Sequence, residues 1–118
     1  MKVYLAYEIN EAEMHYETGS VSDIGCFDTI NKAIDYIIKR ISQGLTDGFM
    51  PDNEDEEVYK VITERDERNL INYTKLFNAI KEEFNNKLDN YFSLVMFEGY
   101  QENWECYYTI VLEEKELQ

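Results

Sequence analysis

Ile24-Gly25-Cys26-Phe27-Asp28-Thr29-Ile30-Asn31-Lys32-Ala33-Ile34-Asp35-Tyr36-Ile37-Ile38-Lys39-Arg40-Ile41-Ser42-Gln43-Gly44-Leu45 is the stretch on which the fold turns. It reads as the end of a strand, a capped turn and a helix. Ile30, Ala33, Ile34, Ile37, Ile38 and Ile41 recur at the three- and four-residue steps that place side chains on one helical stripe. Asn31, Lys32, Asp35, Lys39, Arg40 and Gln43 fill the opposite, solvated face. Asp28 or Thr29 can cap the start, because a short side-chain oxygen accepts from an otherwise unpaired N–H. Gly44 is expected to end the helix in the left-handed conformation, with Lys39 and Arg40 in its last turns, where cations suit the helix dipole. Isoleucine is a mediocre helix former, so tertiary burial, most simply against a sheet, must hold this stripe.

Outward from this centre, Lys2 to Ile9 alternates. Val3, Leu5, Tyr7 and Ile9 face one way and Lys2, Tyr4, Ala6 and Glu8 the other, the pattern of a half-buried strand. Val21 to Phe27 returns as a second strand, antiparallel to the first. Thr46 to Pro51 is rich in turn residues and holds the only proline. Val58 to Glu64 is expected as a short strand, although the polar run Arg65-Asp66-Glu67-Arg68 beside it also permits a helix. Tyr73, Leu76, Phe77, Ile80, Phe84 and Leu88 keep the helical period through Asn72 to Asp89, the second helix. Tyr91 to Phe97 is apolar at both odd and even positions, as in a central strand covered on both faces. Trp104, Cys106, Tyr108, Ile110 and Leu112 share one face of a last strand. The order β-β-α-β-α-β-β defines an α+β domain over residues 1–118, an antiparallel or mixed sheet with two helices packed on it.

The 118 residues include 44% hydrophobic residues, sufficient for one domain with a real core. No segment is long and apolar enough to span a membrane, and the amino terminus lacks the apolar run of a signal peptide. Cys26 and Cys106 have no metal-binding spacing, so the expectation is a cytoplasmic protein with two buried, reduced thiols; a disulfide between them needs distances to decide. His15, the only histidine, lies between Glu13 and Glu17 in a polar loop. A strand would put these three on one face, but no second histidine or nearby thiol supports a metal or acid–base site, and pairing of His15 with Cys26 finds no support in the spacing. There is no glycine-rich phosphate loop and no nucleophile elbow. No catalytic residue, cofactor or metal ligand is assigned.

Charge is the outlier. Twenty-five acidic against eleven basic residues give a formal net of -14. Such a field repels nucleic acids and anionic membranes and favours a basic protein surface, although acidity also serves solubility alone. Asp52, Glu54, Asp55, Glu56 and Glu57 put five acids into six residues. Extended, six residues span roughly 20 Å, over which one strand of duplex DNA carries on the order of six charges. An EF-hand loop counted from Asp52 fails, because Glu57 and Thr63 stand where a glycine and a glutamate are needed. Tyr100 and Trp104, beside the turn after Gly99, are the aromatic candidates for exposed anchors.

In its size, its lack of a catalytic motif and these acids, with Glu64, Asp66 and Glu67 following, the chain resembles the small acidic inhibitors of phages and mobile elements, the anti-CRISPR and anti-restriction proteins that imitate DNA. The strand–turn–helix from Ile24 to Ala33 is also similar to a pattern in small phage and bacterial domains of unknown function. The resemblance implies a non-enzymatic inhibitor that occupies a basic nucleic-acid-binding surface, with Asp52, Glu54, Asp55, Glu56, Glu57, Tyr100 and Trp104 as partner-binding residues. An immunity or antitoxin-like protein capping a basic toxin, a carboxylate enzyme and an accessory domain stay open as alternatives. Nothing in the sequence sets the oligomeric state.

Overall fold

The computed structural model describes residues 1–11, 20–52, 57–64, 67–68, 70–86, 90–98 and 103–117. The elements, in order, are β1 (Lys2–Glu11), β2 (Ser20–Phe27), α1 (Ile30–Thr46), β3 (Phe49–Pro51), α2 (Glu57–Thr63), α3 (Tyr73–Asn86), β4 (Tyr91–Glu98) and β5 (Asn103–Glu116). The five strands form one sheet in the order β2-β1-β5-β4-β3, and every neighbouring pair is antiparallel. The class is α+β.

The isoleucine stripe of α1 is the centre of the core. Ala33, Ile34, Ile37, Ile38 and Ile41 are buried, and Ile30 packs at the rim. They meet Ala6 of β1, Ile110 and Leu112 of β5, and Phe92, Leu94 and Met96 of β4 in a single cluster. Thr29 caps α1, its hydroxyl accepting from the Lys32 N–H at 3.3 Å. Leu76, Ala79, Ile80 and Phe84 of α3 and Val58, Val61 and Ile62 of α2 complete the helical layer.

Four expectations are corrected. The third strand is Phe49–Pro51, not Val58 to Glu64. Val58, Val61 and Ile62 stand at helical spacing and are buried, so the segment forms α2 and the fold has three helices among its described residues. Pro51 sits in an edge strand, a position proline tolerates because its missing donor interrupts no central ladder.

Gly44 is not a cap. The helix runs on to Thr46, Asp47 takes the C-cap and Gly48 adopts the left-handed φ of 92°. Gly44 lies buried where α1 comes closest to β5, and a Cβ there would collide with the Tyr108 hydroxyl. Lys39 and Arg40 consequently lie upstream of the last turn.

Among the described residues, β4 is covered on one face only. Phe92, Leu94 and Met96 are buried under the helices, whereas Tyr91, Val95 and Phe97 are half-exposed on the other side. β5, not β4, is the middle strand.

Cys26 is an exposed free thiol, not a buried one. It pairs with Leu5 across the β2–β1 ladder, while Tyr107, next to Cys106, pairs with Glu11 on the far side of β1. Six residues of strand separate those two levels, roughly 20 Å, which no disulfide bridges.

Candidate functional site: an acidic cleft on the helical layer

The acid-rich segment is described at its two ends. Asp52 follows β3, and its N–H donates to the Val95 carbonyl at 2.9 Å, so the backbone is fixed to the sheet while the carboxylate stays exposed. Glu57 opens α2, where a carboxylate suits the positive end of the helix. Glu54, Asp55, Glu56 and Tyr100 lie outside the described residues. So do His15, Glu13 and Glu17, and with them any His15–Cys26 pair. Trp104 lies in β5, but only its backbone is described.

α2 is short because only three of its residues reach the core. Val58, Val61 and Ile62 anchor it, and Glu57 and the following Glu64 are left exposed. α3 packs beside it and buries Leu76, Ala79, Ile80 and Phe84. Between the two helices runs an open cleft of about 280 Å³. Val61 and Ala79 form its floor; Glu57, Glu64 and Glu82 line its walls together with Lys75 and Asn78. Three carboxylates thus face one ammonium. Among the described residues, Asp52, Glu57, Glu64 and Glu82 have no cation within salt-bridge distance.

A second polar cluster lies under the other end of α1. Glu8 is buried on the helical side of β1 and receives two hydrogen bonds from Arg40, Nε at 2.9 Å and an Nη at 3.0 Å. This fork-to-fork geometry is what makes a carboxylate tolerable in an apolar layer. Tyr108 lies nearby. Burial, reinforced by the charge of Glu8 and opposed by that of Arg40, pushes its hydroxyl up to about 12. The cluster has an acid, a cation and a phenol, but Glu8 is closed off from solvent by its own partner. Its geometry is that of a fixed structural pair. Glu8 reads in the sequence as an outward residue of an alternating strand, so nothing local signals its burial.

Among the described residues, no three His, Cys, Asp or Glu side chains converge as a metal site would require. The expected acid run and the cleft overlap at Glu57. Glu64 and Glu82 extend the acidic surface to a place the linear reading does not reach, since Glu82 comes from a helix some twenty-five residues downstream of Glu57. Comparisons of the chain with protein families, with curated proteins and with solved structures found no match.

Proposed function

We propose that this protein is a non-enzymatic interaction protein whose acidic helical side occupies a basic, nucleic-acid-binding surface of a partner protein. The supporting observation is the set of exposed carboxylates at Glu57, Glu64 and Glu82 that line the α2–α3 cleft with no cation within salt-bridge distance among the described residues. A carboxylate held for structure finds a cation, as Glu8 finds Arg40; among the described residues these do not. Glu57 and Glu64 are seven residues apart, about 10 Å along a helical path. One DNA strand carries about three charges over that length, and the cleft presents three carboxylates on its two walls. Asp52 adds a further exposed carboxylate at the sheet edge. The phage-inhibitor resemblance points the same way.

The test is affinity capture from a host lysate at low and high salt, followed by competition of the captured partner with duplex DNA. The expected outcome is a DNA-binding protein that duplex DNA displaces, bound less tightly as salt rises because the attraction is screened. Changing Glu57, Glu64 and Glu82 together to Gln should lower the affinity and flatten its salt dependence. Equal salt slopes for the two proteins would remove the cleft from the interface. A partner that DNA does not displace would replace this reading with that of an immunity protein capping a toxin.

A further inference from the structure

Among the described residues, the five-stranded sheet has helices on one side only. A solvated face of an antiparallel sheet is normally polar. This one is not. In β1 the apolar residues Val3, Leu5, Tyr7 and Ile9 point away from the helices, and the helical side takes Tyr4, Ala6 and Glu8 instead. The register carries that character across the sheet: Tyr7 pairs with Val111 and Val111 with Ser93, Ile9 pairs with Thr109 and Thr109 with Val95. Toward the other edge, half-exposed Phe97 pairs with exposed Met50. Val3 and Val111 are buried there without belonging to the core under the helices, so the face has its own packing. Among the described residues, no element covers it.

We propose that this open sheet face is a self-association surface, which packs against the same face of a second copy of this chain. The proposal goes beyond the acidic cleft, which lies on the opposite side of the molecule.

Charge selects the occupant. The chain is formally -14, yet the described side chains of this face bring two carboxylates, Glu113 and, at the β3 edge, Asp52 opposite Val95, and one ammonium, Lys115, 3.8 Å from Glu113. Tyr7 stands beside the same Glu113, whose charge acts on its hydroxyl. A basic partner finds only the edge carboxylate of Asp52 to neutralise there. A second copy finds a tyrosine-rich, sparsely charged surface like its own, with Asp52 confined to the β3 edge. Face-to-face packing also keeps both helical layers outside. Each acidic cleft is then more than a sheet spacing of about 10 Å from the interface, beyond the Debye length of about 8 Å at physiological salt.

Area agrees. Five strands about 4.8 Å apart and about eight residues long make a face on the order of 600 Å² in projection. Side-chain relief raises the accessible area toward the about 800 Å² per partner of a standard interface. The slab is thin, 22 Å against 45 and 43 Å, so a second copy turns a two-layer plate into a four-layer particle.

The experiment is analytical ultracentrifugation of the full chain over a roughly hundred-fold range of concentration at low and high salt, since a self-associating chain shifts with its own concentration. The expected mass rises from 14.1 kDa to twice that value, and the dimer strengthens as salt rises, because screening relieves repulsion between two acidic copies. Val95→Lys and Thr109→Lys, tested separately, should remain monomeric at every concentration. Lysine lowers the net negative charge, so loss of the dimer cannot come from added repulsion. Circular dichroism decides whether each variant is folded. Should neither fold, alkylation of Cys26 in the unaltered chain replaces them: Cys26 lies on this face and should react more slowly as concentration rises. A monomer at all concentrations overturns the proposal, as does a dimer that survives both folded variants or leaves the Cys26 rate unchanged.

Discussion

Two tyrosines show how a single side chain can tie stability to pH. Tyr7 and Tyr108 are both pushed up to about 12, first by burial and then by a neighbouring carboxylate, Glu113 for Tyr7 and Glu8 for Tyr108. Both phenols are acids that titrate near 10 when unfolded. The folded chain therefore keeps these protons to higher pH than the unfolded chain does. Their contribution is fully present below about pH 10 and is lost as pH rises toward about 12, because over that window the unfolded state binds fewer protons. Changing Tyr7 and Tyr108 to Phe should flatten the fall in unfolding free energy across this window, as read by urea denaturation at a series of pH values. An unchanged slope would mean that neither phenol is held by its surroundings. Tyrosinate absorbance supplies a second reading, in which the Tyr7 and Tyr108 changes to Phe should remove part of the late-ionising signal.

Among the elements, the contact between α1 and β5 is where the chain is most tightly fitted. Gly44 allows it. Alanine is better than glycine within a helix by about 1 kcal/mol, so propensity alone predicts that Gly44→Ala stabilises. Packing predicts the reverse. The added methyl meets the Tyr108 hydroxyl, and that ring is held edge-on by Phe49 at 5.0 Å. Overpacking of this kind costs about 1–3 kcal/mol, so Gly44→Ala should lower stability in urea unfolding. In a Tyr108→Phe background the hydroxyl is gone, and the nearest remaining atom is the flexible Met96 Cε at 3.2 Å. There Gly44→Ala should stabilise. The same sign in both backgrounds would show that the helix does not approach the strand here. The sequence reveals the helix but not this use of its glycine. Ile30 to Ile41 is legible because a stripe of six residues at helical steps has one explanation. Gly44 is misread as a cap because the residue that gives it meaning, Tyr108, lies sixty-four positions away. The α2 segment, expected as a strand with a helix left open, is ambiguous for a related reason: seven residues are too few for periodicity to separate helix from strand, and its burial against α3 decides for the helix. β1 alternates cleanly, yet its apolar side is not the side the helices cover. A period of two gives two faces and does not say which one meets the core. Of the expected site, Asp52 and Glu57 are found exposed and Glu57 lines the cleft, whereas Glu64 and Glu82 join it only through the packing of α2 on α3.

For the molecule as a whole, the net charge of -14 is a cost to the compact state. The surface ion pairs offset little of it. Asp28–Lys32 at 3.0 Å is an exposed pair of the helical i,i+4 type, and Lys2–Glu114 at 3.9 Å is loose; solvent screens such pairs and they contribute little. Arg40–Glu8 is sheltered and responds weakly to salt. Two opposing effects of added sodium chloride follow. Screening weakens the exposed pairs and lowers stability, and it relieves repulsion among unpaired carboxylates such as Glu57, Glu64 and Glu82 and raises stability. Twenty-five acids against eleven bases leave most carboxylates without a cation, so repulsion is the larger quantity. The thermal midpoint should accordingly rise as sodium chloride goes from about 0.01 M to about 0.15 M, where the Debye length shrinks from about 30 Å to about 8 Å. Dimerisation through the open face would add to this rise, but only in proportion to protein concentration. Measuring the midpoint at low concentration, and again with Glu57, Glu64 and Glu82 changed to Gln, isolates the charge effect. The variant should start from a higher midpoint at low salt and gain less on screening. A midpoint that falls with salt would mean that the exposed pairs outweigh the repulsion, and the carboxylates around the cleft would then be stabilised by surroundings other than a basic partner.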